Sequence, residues 1–145
     1  MFIHMRNHKI VALDAATGKI LWGYKRSIPY TTTLQRVSQV LPYKNKVIVG
    51  FADGHVGAIS IEEGIVSWEQ KITSNFKFVD VDVNPVLFND KVVVCSANGN
   101  LTFLNPDNGI VERTLNVTLG HTPLIINDVL YAGTASGKIV SVDKE

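Results

Sequence analysis

A chain of 145 residues with 46% hydrophobic and 19% charged residues is long enough to bury a core and too apolar to stay disordered. Its net charge of +1 leaves no electrostatic footprint for nucleic acid or an anionic membrane surface. No apolar run approaches the roughly 18–20 residues that span a bilayer, and the first eight residues carry none of the segments of a signal peptide and no lipid-accepting cysteine.

In chain order, short apolar runs alternate with turn residues. Residues 2–5, 8–13 and 19–25 read as three strands, with nothing before Phe2 to make a first. The next block is complete: 37–41, a turn at 42–45, 46–51, the Asp53-Gly54 reversal, 55–61, the Glu62-Glu63-Gly64 reversal, and 65–72. A third block copies it at 84–88, 91–96, 100–104 and 110–117. The fourth runs 122–126, 129–133 and 138–143, one strand short. Strict alternation such as Val79-Asp80-Val81-Asp82-Val83 argues for strand throughout, and no stretch shows helical periodicity.

The blocks share a motif. Residues 12–22 read Ala-Leu-Asp-Ala-Ala-Thr-Gly-Lys-Ile-Leu-Trp, residues 58–68 end in the same Gly and Trp, and residues 103–113 repeat the pattern with Arg113 in place of the Trp. Gly18, Gly64 and Gly109 are 46 and 45 residues apart, and Trp22 and Trp68 keep the 46-residue step. A fixed period of this size built from short strands predicts propeller blades. The expected fold is all-β: one partial β-propeller domain over 1–145, with about fourteen strands in four antiparallel blades. The repeats fall at about 1–28, 29–74, 75–118 and 119–145, the first and last incomplete. Turn glycines are expected to supply positive φ, His8 stands where the other blades have Gly54, Gly99 and Gly137, and both indoles are expected flat between blades. An open array exposes apolar end faces, so either further blades or a second copy must cover them.

The Ala-x-Asp-x-x-Thr-Gly-x-x-x-Trp motif resembles the repeat of pyrroloquinoline-quinone-type (PQQ-like) propellers. The linkers are more specific. Residues 34–38 (Leu-Gln-Arg-Val-Ser), the stretch 57–72, and residues 79–86 (Val-Asp-Val-Asp-Val-Asn-Pro-Val) follow in an order similar to the C-terminal half of the BamB family. Those proteins are eight-bladed propeller lipoproteins of the outer-membrane β-barrel assembly machinery. The resemblance implies a non-catalytic scaffold at the periplasmic face of the outer membrane, docking a POTRA domain of BamA through its inter-blade linkers. The positions it assigns to docking are Leu34, Arg36, Asp80 and Asp82, with Gln35 competing for the arginine position.

Other readings stand beside this one. Asp80 and Asp82 on one strand face read as partner-binding or as a solvated face; as an acid–base pair or cation site they lack further ligands nearby. A quinoprotein-type, cofactor-binding propeller would need a richer set of Arg, Asn, Asp and Glu ligands than Asp80, Asp82 and Asn84. A self-assembling half-propeller predicts a homodimer. His4 and His8 are spaced i, i+4 but lie in strand and turn, so no metal or cofactor site is expected. Cys95 sits in an apolar run and reads as a buried hydrophobe. Tyr24, Tyr30, Phe51, Phe76 and Phe78 read as inter-blade packing or as an exposed patch beside the linkers.

Overall fold

The computed structural model describes residues 1–28, 34, 36–74 and 78–144. Among the described residues, fourteen strands form four antiparallel sheets, as the period predicts. Blade 1 holds β1 (Phe2–Met5), β2 (Lys9–Leu13) and β3 (Ile20–Lys25). Blade 2 holds β4 (Leu41–Tyr43), β5 (Lys46–Gly50), β6 (His55–Ser60) and β7 (Val66–Lys71). Blade 3 holds β8 (Val86–Phe88), β9 (Lys91–Val94), β10 (Leu101–Leu104) and β11 (Val111–Leu115). Blade 4 holds β12 (Leu124–Ile126), β13 (Val129–Gly133) and β14 (Ile139–Val142). Within each sheet every strand pairs with its neighbour in sequence, so each blade is a simple meander.

Among the described residues, three apolar cores lie between successive blades. Ile10, Val47, Val49, Phe51 and Ile59 join blades 1 and 2. Ile48, Val56, Trp68, Val92 and Leu104 join blades 2 and 3. Val93, Cys95, Leu101, Phe103 and Leu130 join blades 3 and 4. Cys95 is fully buried there, its sulfur accepts the Leu119 amide at 3.4 Å, and burial pushes its thiol up.

The motif works as an interlock. The Trp22 indole donates to the Ile61 carbonyl at 2.6 Å and lies on Gly64, where a Cβ would stand 2.7 Å from the ring. Trp68 repeats this one blade later, donating to the Pro106 carbonyl at 3.0 Å and covering Gly109. Both turn glycines have positive φ, +70° and +76°, so the same residue type serves turn geometry and close approach. The turn itself is built locally: in blade 1, Asp14 Oδ1 accepts the Ala16 and Thr17 amides, and Asn105 plays the same part in blade 3.

Three local expectations change. The inner strands begin later than 37, 84 and 122, because the amides of Gln39 and Asn84 go to side chains of the next linker and pairing starts only beside the turns at 44–45, 89–90 and 127–128. Residues 79–83 form no strand: the Val81 amide donates to the Phe51 carbonyl and the Asp80 carbonyl accepts the Ala97 amide, so the segment is bolted across two blades without a ladder. Among the hairpin-turn positions Gly54, Gly137 and His8 have φ of 81°, 82° and 61°, but Gly99 is not left-handed; there the constraint is space, since a Cβ would stand 2.1 Å from Ser96 Oγ.

Candidate partner-docking face at the inter-blade linkers

The linkers stack on one another through side chain to backbone hydrogen bonds. Asp80 is fully buried, and its carboxylate accepts the Leu34 amide at 2.8 Å and the Arg36 amide at 3.4 Å. A buried carboxylate costs several kcal/mol unless donors replace its water; here the neighbouring linker supplies them. Further along, Asn84 Oδ1 accepts the Gln39 amide at 2.7 Å, and the Asn84 amide in turn donates to Thr122 Oγ1 at 3.2 Å. Positions 39, 84 and 122 are equivalent in their repeats, each two residues before the start of the inner strand, at Leu41, Val86 and Leu124. One contact is thus repeated from linker to linker.

This stacking separates the two aspartates that alternation placed on one face. Asp80 is turned inward as a clamp, whereas Asp82 reaches the surface and accepts the Arg36 guanidinium at 3.1 Å. The Arg36 side chain is 66% exposed and that of Asp82 13%, so the arginine is the accessible member of the pair. Leu34 is 43% exposed beside it. An apolar side chain and an arginine are therefore held outward by one buried carboxylate. Gln35 lies outside the described residues.

Beside the pair opens a cavity of about 590 Å³ lined by Arg6, Leu34, Arg36, Asp82, Asn84 and His121, among others. These side chains come from the β1–β2 turn and from three successive linkers. Neither Arg6 nor His121 belongs to a repeated motif, so only the closing of the linkers onto one another reveals them.

Farther out, the blade 1–2 junction carries a charge cluster. Arg26 donates through Nε to Asp53 at 2.6 Å, donates twice to Glu69 at 2.8 Å, and lies over the Phe51 ring. Burial opposes the Arg26 charge, but these hydrogen bonds hold the guanidinium above its ordinary value and hold Glu69 below the usual carboxylate range.

The aromatic residues divide. Phe51 is buried against Tyr24, while Phe78 is 44% exposed. Tyr30, Phe76 and Lys77 lie outside the described residues. His4 sits on β1 with Nδ1 2.9 Å from the Ser38 carbonyl, and burial pushes its imidazole down. Among the described residues no group of three or more His, Cys, Asp or Glu could hold a metal ion. The cavity supplies one carboxylate, Asp82, already paired with Arg36, so the residues described do not fit a quinone and its metal.

Fold and motif together define a β-propeller segment of PQQ-like repeats. The chain belongs to the family described as outer membrane protein assembly factor BamB, which matches residues 1–145. It is 29% identical to BamB of Kangiella koreensis over 85% of this chain and 33% of that protein, and 31% identical to BamB of Shewanella oneidensis over 92% and 35%. It is also 24% identical to the quinoprotein alcohol dehydrogenase PedH of Pseudomonas putida over 88% of this chain and 23% of that protein. The crystal structure of BamB from Moraxella catarrhalis superposes with a TM-score of 0.83 at 19% identity, covering 99% of this chain and 45% of that one. The quinohemoprotein alcohol dehydrogenase ADHIIG from Pseudomonas putida HK5 superposes with a TM-score of 0.84 at 17% identity, covering 99% and 31%. The chain thus spans about a third of the length of its BamB relatives, and the fold alone is common to scaffold and enzyme.

Proposed function

We propose that this chain is a non-catalytic scaffold segment of the outer-membrane protein assembly machinery, working at the periplasmic face and docking a POTRA domain of a BamA-like protein through its linkers. The observation that carries the reading is the Asp80 clamp: a buried carboxylate holds the backbone of Leu34 and Arg36 so that both side chains face outward beside Asp82. Leu34 serves as the apolar anchor, Arg36 and Asp82 as the charged contacts, and Asp80 as the residue that holds their frame. The quinoprotein reading is the weaker one, since the cavity offers a single, already paired carboxylate.

The test is calorimetric titration of a purified POTRA domain. Arg36→Glu and Asp82→Lys are expected to weaken binding about tenfold or more, on the order of 1.4 kcal/mol, with the circular dichroism spectrum unchanged. Unaltered affinity in both variants sinks the assignment.

A second reading, self-association, is favoured by the end blades. Ile3 and Met5 on blade 1, and Leu124, Ile126 and Ile139 on blade 4, are exposed apolar side chains on strands. Light scattering separates a dimer from a monomer.

A further inference from the structure

The linker cavity holds more positive charge than the docking residues require. Arg36 is offset by Asp82, and the Asp80 carboxylate is occupied by backbone amides. Arg6, in the turn after β1, and His121, in the linker before β12, also face the cavity. Among the described residues neither has a hydrogen-bond or ion-pair partner. The remaining lining includes Val37 and Val83, together with Asn84 and Thr122, whose polar contacts already stitch the linkers. The cavity is therefore a partly apolar hollow with an uncompensated guanidinium and an unpartnered imidazole at its wall. A guanidinium recognises a carboxylate through paired donors, and partial desolvation strengthens the contact.

Resting on the docking reading above, we propose that this cavity receives a glutamate- or aspartate-bearing loop of the partner protein, with Arg6 and His121 as further docking residues. The acidic side chain enters between Arg6 and His121, and an apolar neighbour on the same loop lies on Leu34 at the rim. Arg6 and His121 come from blade 1 and the blade 3–4 linker, whereas Arg36 and Asp82 come from the linkers between. Docking of one loop would then bridge all four blades, which the linker pair alone does not do.

The experiment uses the isotope-labelled chain and two probes. The first is a short Glu-Leu-Glu-Glu peptide, with its glutamine counterpart as control, followed by amide chemical shifts at low salt. Shifts centred on Arg6, His121 and Arg36, absent with the glutamine peptide and weakened about fivefold or more by Arg6→Glu, are expected. Shifts scattered over Lys9, Lys19 and Lys44, or affinity unchanged in Arg6→Glu, overturn the proposal. The second probe is the POTRA domain. If Arg36→Glu weakens it and Arg6→Glu does not, the cavity proposal fails while the docking reading stands. If no POTRA domain binds yet the acidic peptide maps to the cavity, the cavity proposal stands and the partner assignment fails. Arg6 lies in an exposed turn, and the amide spectrum of the variant confirms its fold.

Discussion

The junction between blades 2 and 3 and the junction between blades 3 and 4 meet the same packing demand with different side chains. At the first, Trp68 is 9% exposed, donates to the Pro106 carbonyl and covers Gly109. At the second, Arg113 occupies the repeat position of the indole and lies over the Phe103 ring of its own blade. The carbonyl equivalent to that of Pro106 belongs to Lys144, and it is taken by the Asn89 side chain at 2.9 Å. Both junctions keep an apolar core; at the first the Trp68 indole is part of it, and at the second the core closes without an indole. The period survives loss of the indole because the strands and turns do not depend on it.

That comparison can be broken most directly by Trp68→Ala. It removes a large buried ring and leaves the Pro106 carbonyl without its donor, so a loss of about 3–5 kcal/mol is expected. Arg113→Ala, at the matching position, is expected to cost about 1 kcal/mol or less, the size of an exposed cation–π contact. Urea unfolding of the two variants measures the gap, and equal losses would refute the distinction.

A finer test separates turn geometry from interlock. Gly18 and Gly109 have nearly the same φ, +71° and +76°, but a Cβ on Gly18 meets nothing within 4 Å while one on Gly109 falls 2.4 Å from the Trp68 ring. Both Gly→Ala changes incur the left-handed penalty of about 1 kcal/mol. Only Gly109→Ala adds an overpacking cost of about 1–3 kcal/mol. Thermal unfolding should therefore place Gly109→Ala well below Gly18→Ala.

The smallest effect lies at the blade 1–2 junction, where a charge cluster accompanies the Trp22 lock. Glu69 is held below the usual carboxylate range by Arg26, so its folded pKa is below its unfolded one. Its contribution is present above the ordinary glutamate value of about 4.3 and is lost as the pH falls through the lower folded value. The Glu69 side chain is 32% exposed, which limits the contribution to about 0.2–1 kcal/mol. Glu69→Gln should be destabilised by that amount at pH 7, and the difference should shrink as the pH falls below the ordinary glutamate range, as read from urea midpoints. A difference that stays constant as the pH falls through and below the ordinary glutamate range would rule out the charge as its source.

The two halves of the candidate site differed in how far they could be read ahead. Leu34, Arg36, Asp80 and Asp82 were assigned by the resemblance to the BamB family, and the structure sets all four at one contact between linkers. Their division of labour was hidden. Alternation of Val and Asp over 79–83 describes a half-buried strand, yet Val79, Asp80, Val81 and Val83 are all buried and the segment is not a strand. The donors that make a buried Asp80 tolerable lie 44 and 46 residues earlier, beyond any local pattern. Arg6 and His121 were silent for the same reason: nothing near them in the chain marks them, and they meet only where the linkers close on one another.

What the amino-acid sequence determined by itself was everything that depends on short-range geometry. The number and order of strands, the Asp- and Asn-capped turns and the turn glycines arise from residues within one blade, and the repeat sets their spacing, whereas the seating of each indole on the next blade's glycine is a tertiary contact. Which carboxylate is buried, which arginine is exposed and which basic side chains share a cavity were decided by tertiary structure alone. Those outcomes depend on solvent access and on backbone donors from another linker, and both exist only after the blades have packed.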